Sequence, residues 1–498
     1  MVLRDLVDSN AGSGIGVFAL TSGLPGSNQL YIGGFSNSET YVFNTQSNAV
    51  THSLTGAGMQ TDSMHWYNNV LYVGNYTLGQ LTALDPVNNV PTAMFALNDD
   101  VFDQSRIQTI TSGDQKIFVG TIPDVYKNGG MIAWYDFTQN RAYAAVGPNP
   151  EDVYWADTSA PNYTWYNEIT GLPRTSDILD ATGVPGVVAK QSIISLVYHD
   201  GLLYGTSSLE GGTTSNKLSG VEAVVFVYDV DNRELIATCD LSSIGINNAT
   251  YVAGVAADPN VDTNGKFWGV VSETLFSFTF DEQSKTFEVT EELSFSKTEF
   301  KSHGARHWYP LPILFDDGYI YVSFGPIGNV CKIDMENPDA YEQLLPDADS
   351  IDEIPMFYTL GENGCLYYLL GSKLYMVTLN PTEAEWEAAE AVDAMIDSLG
   401  AITVESSQSV RAIRAAYNAL TMRQKSLVQG YVSFTATEVE LMVARIQSIG
   451  TVTAESASLL AELRSDYDNF TYDQKQGVTN YATLILAEIA LANLLEAE

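Results

Sequence analysis

Leu71-Tyr72-Val73-Gly74 is one of seven copies of a short phrase in which an apolar residue and an aromatic are closed by small or apolar residues. The others are Leu30-Tyr31-Ile32-Gly33-Gly34, Ile117-Phe118-Val119-Gly120-Thr121, Leu203-Tyr204-Gly205-Thr206, Phe267-Trp268-Gly269-Val270, Ile320-Tyr321-Val322-Ser323 and Leu366-Tyr367-Tyr368-Leu369. A polar gap and a second apolar run follow each copy. Successive aromatic positions lie 41, 46, 86, 64, 53 and 46 residues apart, around the roughly 40 to 50 residues of a four-stranded repeat unit. The two longest spacings therefore read as insertions.

Each unit divides into four strand-length runs rich in Val, Ile, Tyr and Phe. In the fourth copy these are residues 193–198, 202–206, 224–229 and 235–239, parted by turn residues such as His199-Asp200-Gly201 and Asp229-Val230-Asp231-Asn232. One small sheet cannot bury both its faces alone, whereas radial stacking gives every sheet a neighbour and leaves only short edges. The fold class expected is mainly β, a seven-bladed β-propeller over residues 1–380. The seventh unit runs out at Asn380-Pro381 with three strands, since proline cannot donate into a ladder. Residues Val2–Val7, which precede the first complete unit, are predicted to supply its fourth strand and close the ring.

From Pro381 the aromatic-glycine pairs give way to Ala, Glu and Leu at helical spacing, and a second repeat begins with a period of 50: Ile396 matches Ile446, Tyr417 matches Tyr467, Gln424-Lys425 matches Gln474-Lys475 and Tyr431 matches Tyr481. Thr421…Gln424 and Thr471…Gln474 read as capping boxes, and Gly400 and Gly450 as left-handed helix ends. The expectation is an all-α tail at 381–498 of two tandem three-helix modules, about 384–434 and 435–498, the last helix of the first leading directly into the second.

The motifs Arg414-Ala-Ala-Tyr417-Asn-Ala-Leu420-Thr-Met-Arg-Gln424-Lys425, Ile446-Gln-Ser-Ile-Gly450-Thr-Val-Thr453 and Asn480-Tyr481-Ala-Thr-Leu484 resemble the alanine-rich, FIVAR-like helical repeats of secreted and wall-attached proteins of Gram-positive bacteria. That resemblance, over about the last quarter of the chain, implies a spacer in a larger bacterial surface polypeptide or assembly. The blades resemble the broad YVTN-like and PQQ-like seven-bladed propellers.

Composition bounds the partners. The 61 acids against 23 bases give a net charge of −38, and the tail alone holds 17 acids and 7 bases. A field of that sign repels phosphate backbones and anionic lipid, which argues against nucleic acid and membrane-surface binding, and it keeps an exposed protein soluble. Cys239, Cys331 and Cys365 are too few for a disulfide framework and read as packing residues. No run of 18 apolar residues marks a transmembrane helix, so no membrane insertion is expected. No signal segment is legible before Val2, and the expected setting is extracellular or cell-surface, with the targeting segment absent from this chain.

Loop placement directs the search for function. If the first strand of every blade is innermost, the segments 147–191, 121–130, 207–220 and 301–310 all leave from one end, and long loops on a rigid scaffold are where ligands bind. Trp155, Trp165, Tyr166 and Trp308 offer rings for sugar faces, with His303, Arg306 and His307 as hydrogen-bonding partners; the plainer alternative is that the tryptophans pin the insertion to the blades. The reading is a recognition protein whose partner is a glycan or a surface protein. Catalysis stands second, as a polysaccharide lyase using His307, Tyr309 and Arg306, with His65 and Tyr67 on the first strand of blade two, in which a base removes a proton beside a uronate carboxylate. A structural role in surface assembly stands third. No cofactor is expected. A calcium loop at Asp258, Asn260 and Asp262 is set against a plain hairpin turn, which the missing distal glutamate favours.

Overall fold

The computed structural model describes the chain except residues 1, 6–16, 35–38, 57, 59, 98–101, 124–128, 160, 175–185, 211–217, 296–308, 325–328, 346–356, 371–372 and 497–498. Seven antiparallel sheets form a propeller, six of four strands and one, the third, of six. Their first strands are Val17–Ser22, Gln60–Tyr67, Gln104–Gly113, Ser192–His199, Val252–Ala257, Ile313–Asp316 and Phe357–Gly361. In the run from blade one to blade six neighbouring first strands touch, and that of blade seven touches that of blade one; between blades six and seven the Tyr358 hydroxyl accepts from the Ser323 amide and donates to the Pro312 carbonyl, so the strands ring one axis. They run the same way, as hydrogen bonds between neighbours show: Ser63 Oγ donates to the Ile107 carbonyl, His65 shares a bond with Ser112, and the Tyr198 amide donates to Thr111.

The repeated phrase is the second strand, and its two features have separate causes. The aromatic is core: Tyr31, Tyr72, Phe118, Tyr204, Trp268, Tyr321 and Tyr367 are all buried. The small residue is where the next blade arrives. A Cβ built on Gly33 would lie 2.5 Å from Thr61, one on Gly74 2.5 Å from Ile107, and one on Gly120 2.5 Å from Ile193, each the first strand of the following blade. Opposite this point the first strands of blades one to five each carry a register shift, after Val17, Thr61, Ile107, Ile193 and Val252. Such bulges bend a strand and increase its twist, which suits a strand curling about an axis.

A third repeat lies in the turn between third and fourth strands. Asn44, Asp85, Asp136, Asp229, Asp281 and Asp334 each accept from a backbone amide two or three residues on. These are Asx turns, in which a side-chain oxygen mimics a backbone carbonyl. Part of the acidic excess is thus hairpin chemistry.

In the seventh sheet Val2–Asp5 takes the outer position beside Lys373–Thr378, the order continuing through Cys365–Leu370 to Phe357–Gly361. The contact map divides into two compact units, one comprising Gly14–Glu362 with Tyr367–Lys373, the other Asn363–Leu366 and Leu374–Glu498 with the N-terminal strand.

The helices of the second unit are α1 (Glu383–Asp397), α2 (Ser407–Ala419), α3 (Met422–Leu427), α4 (Tyr431–Gln447), α5 (Ala457–Asp468), α6 (Tyr472–Gly477) and α7 (Tyr481–Glu496). Both expected capping boxes form: Thr421 and Thr471 accept from the amides of Gln424 and Gln474, whose side chains reach back to the threonine amides. Gly450 has a left-handed φ of 66°, whereas Gly400 is not among the residues of positive φ. The boundary expected at 434/435 falls inside α4, which serves two cores: Phe434 and Leu441 pack with α1, α2 and α3, and Met442 and Ile446 with α5, α7 and Val478 just beyond α6.

The period of 50 preserves one latch in each module. Tyr417 stacks on Tyr431 at 4.4 Å and Tyr467 on Tyr481 at 4.2 Å. Arg414 and Arg464 lie over these rings and form two-pronged pairs with Glu438 and Glu488. Between the modules a cleft of about 440 Å³ is lined by Arg411, Arg414, Arg445, Glu438, Asp466 and Gln474 among others. Its charges answer one another, since Arg411 and Arg445 both bond Asp466 and Glu462; the cleft is a joint.

Two outcomes follow from this architecture. Gly74→Val places methyl groups against Ser63 and Ile107 in a packed interior, and the urea midpoint is expected to fall by the equivalent of about 1–3 kcal/mol. Within the second unit, Arg423 bonds Glu385 and the carbonyls of Asn363, Gly364 and Leu379; its bonds to Glu385, with those from Thr382, hold that carboxyl down to about 2 from 4.5. Its folded value being the lower, the stabilisation is complete above about pH 4.5 and is lost as pH falls toward 2. Arg423→Ala should cost about 1–2 kcal/mol at neutral pH and flatten the acid limb of helix melting followed by circular dichroism.

Candidate functional site

Blade three carries a row of aromatic side chains in register across five strands. Phe118 pairs with Trp134, Trp134 with Tyr143, Tyr143 with Trp155 and Trp155 with Tyr166. Paired residues of adjacent strands point to the same face of a sheet, so the row runs outward along one face. Phe118, Trp134 and Tyr143 are buried, Trp134 stacking on Tyr143 at 5.2 Å; Trp155 and Tyr166 are half-buried, their ring centres 5.3 Å apart. The row therefore emerges from the core into solvent.

Its outer members stand on strands that the ring does not need. Part of the insertion between blades three and four forms Val153–Ala156 and Tyr166–Asn167, fifth and sixth strands on the outer edge of the sheet. The sequence placed this whole segment among loops at one end of the axis; these residues instead broaden the blade, because the run after Pro150–Asp152 turns back antiparallel beside Arg141–Ala145. Asn167 fixes the turn beyond, accepting from the amides of Ile169 and Thr170 and donating to the Glu151 carbonyl.

Three charged groups frame the rings. The exposed Arg141 lies over Trp155 at 4.2 Å; it stands two residues before Tyr143 and so on the same face. Arg233, from the turn between the third and fourth strands of blade four, lies over Tyr143 at 5.1 Å and pairs with Glu168. The result is an aromatic floor with guanidinium and carboxylate groups at its edge, between the outer strands of blades three and four. Trp155 and Tyr166 were among the residues expected from the sequence; Arg141, Arg233 and Glu168, which the structure brings beside them, were not. Arg141 was legible from strand alternation, but Arg233 comes from another blade.

The other expected residues are placed differently. Trp165 is 2% exposed and sits edge-on to Phe102 at 5.0 Å, and Tyr163 accepts from the Ala96 amide of blade two. Both pin the insertion to its neighbour, and no face of Trp165 is open to a ligand. His303, Arg306, His307 and Trp308 lie outside the described residues. Tyr309 is buried and its carbonyl accepts from Tyr251, near the start of the first strand of blade five. His65 and Tyr67 lie toward the other end of their strand, so the structure does not bring them to Tyr309. Burial pushes the His65 imidazole down to about 4, and Tyr67 stacks on Phe137 at 5.7 Å.

Asp258 is buried in a turn, accepting from Trp268 Nε1, the Asn260 amide and Asn264 Nδ2, while Asn260 and Asp262 are exposed. Its carboxylate braces the turn. Among the described residues no group of three or more His, Cys, Asp and Glu is placed to hold a metal ion, and no described helix is long and apolar enough to cross a membrane.

Near the axis, Arg106 grips both oxygens of Asp62 at 3.0 and 2.9 Å, lies over Tyr76 and is joined by Gln60. Both ions are buried. Burial pushes the Asp62 carboxyl up to about 6 against the opposing pull of Arg106 and Gln60.

No protein-family model matches the chain, and no curated protein does. Among solved structures, hydrazine synthase of Kuenenia stuttgartiensis is similar over 75% of this chain and 99% of that one, at 10% identity and a TM-score of 0.48. The Cps50 (Swd1) β-propeller domain of Myceliophteria thermophila is similar over 73% and 96%, at 10% identity and 0.43. The computationally designed Ika8 protein is similar over 74% and 98%, at 10% identity and 0.37.

The axial ion pair yields a pH-dependent prediction. With a folded value above 3.8, Asp62 contributes stability that is complete below that pH and lost as pH rises through about 6. Arg106→Ala leaves the carboxylate buried without its partner and should cost about 3–5 kcal/mol at pH 8. The loss should shrink at pH 5, where protonation relieves the charge; equal losses in urea titrations at both pH values would contradict this.

Proposed function

We propose that this chain is an extracellular or cell-surface recognition protein that binds glycan on the aromatic floor of blade three, its helical tail acting as a spacer. The observation that carries the reading is the Trp155–Tyr166 pair, half-exposed on two strands beyond the four a blade requires and flanked by Arg141, Arg233 and Glu168. Sugar rings present apolar C–H faces that lie on indole and phenol rings, while their hydroxyls take hydrogen bonds from guanidinium and give them to carboxylate. The floor is formed by packing within the blade, so little ordering is required when a ligand arrives.

The resemblance of the tail to FIVAR-like modules and of the blades to YVTN-like and PQQ-like propellers supports the surface setting, as does the net charge of −38, which disfavours nucleic acid and membrane partners. Binding needs no cofactor in this reading, with calcium kept for the Asp258, Asn260 and Asp262 turn alone. The class of partner is a glycan, and a surface protein is the alternative occupant of the same floor.

The test is a glycan array probed with the full chain, followed by calorimetry on the best ligand. Trp155→Ala and Tyr166→Ala should each weaken binding about tenfold or more, about 1.4 kcal/mol, measured well below an unfolding midpoint that Trp155→Ala lowers, since that ring also packs on the blade core. An array without a hit, or affinities unmoved by both substitutions, would refute the site. Uronate-containing hits should also be assayed for unsaturated products by ultraviolet absorbance; cleavage lost in His307→Ala would replace recognition by lyase chemistry.

A further inference from the structure

We propose that the sugar taken on the floor of blade three is a uronic acid, and that Arg141 selects its carboxylate. The inference rests on the reading of that floor as a glycan site and adds the class of sugar. Elsewhere among the described residues arginines meet acids: Arg106 pairs with Asp62, Arg233 with Glu168, Arg414 with Glu438 and Arg464 with Glu488. Arg141 is placed differently. It is exposed, and among the described residues no carboxylate or carbonyl bonds its guanidinium, which lies over Trp155 at 4.2 Å.

Two acids near Arg141 are committed elsewhere. Asp136 is its partner across the hairpin, but Oδ1 of that side chain accepts from the amides of Thr138 and Gln139, and Oδ2 from Gln139 Nε2. Asp157 accepts from the Ser159 amide and hydroxyl, and those bonds chiefly hold its carboxyl below the usual range, Arg141 adding least. Both are spent on their own turns. In a chain with 61 acids, the cation beside the half-exposed rings is thus left without a carboxylate of its own.

Stacking on a ring commits only the face of a guanidinium, while its N–H groups lie in the plane as a fork that fits a planar, two-pronged acceptor. A carboxylate is such an acceptor. A sugar ring resting on Trp155 and Tyr166 brings its substituents to the edge of the floor, and a carboxylate in place of a hydroxymethyl group meets the fork there. Glu168 is answered by Arg233 and does not cancel Arg141. The charge of −38 sets the limit: a long run of acids is repelled as a phosphate backbone is, so the ligand is a single acidic residue within, or at the end of, an otherwise neutral chain. At physiological salt the distant acids are screened beyond about 8 Å, whereas Arg141 acts at contact.

Calorimetry of the full chain with matched probes tests this: methyl β-glucuronoside against methyl β-glucoside, and methyl β-galacturonoside against methyl β-galactoside, the members of each pair differing only at C6. In the better-bound pair the acid should bind about tenfold or more tighter than its neutral mate. That preference should fall to about one in Arg141→Gln, be kept in part by Arg141→Lys, and shrink as salt rises from about 0.05 to 0.5 M. Thermal melting of each variant checks that the blade is intact. Mates bound equally well, or a preference that survives Arg141→Gln, would overturn the inference and leave the glycan site standing. If none of the four binds, the inference falls, and the glycan array decides whether the site falls with it.

Discussion

Close approach of one blade to the next is the constraint on which the propeller rests. At Gly33, Gly74 and Gly120 the following blade's first strand comes so near that a single methyl group would overlap it. Everything else at those levels follows from that distance. The aromatic two positions earlier fills the sheet interface, and the bulge in the facing strand bends the chain around the axis. The recurring Leu-Tyr-x-Gly phrase thus records a packing geometry in which large and small side chains alternate because the blades leave room for only one of each.

How much of this was legible depends on the range over which each signal acts. Phe118 declares itself within the repeated phrase, and the capping boxes at Thr421 and Thr471 by four-residue patterns; these are short-range features, and they were read, whereas Trp134 and Tyr143, on the strands beyond, were not. The turn carboxylates at Asp85, Asp281 and Asp334 stand thirteen residues past their aromatics, a period open to inspection yet hidden within a general excess of acids. The candidate site was legible by half. Trp155 and Trp165 have the same composition around them, and only their register and the position of Phe102 send one ring to solvent and the other inward. Pairing between strands of one hairpin is not written in residue type, and neither is Arg233, which reaches the floor from a different blade.

Charge is distributed with more purpose than its total conveys. A share of the acids closes hairpins, another binds arginine across the helical joints at Glu438, Glu462, Asp466 and Glu488, and Asp62 is spent on Arg106 near the axis. Of the 23 bases in the chain, two rest on the aromatic rings of blade three.

Because α4 contributes Phe434 and Leu441 to one core and Met442 and Ile446 to the next, neither module can shed that helix without exposing apolar surface in both. Under tension such an arrangement would yield as one mechanical element, without the stepwise lengthening of beads on a string.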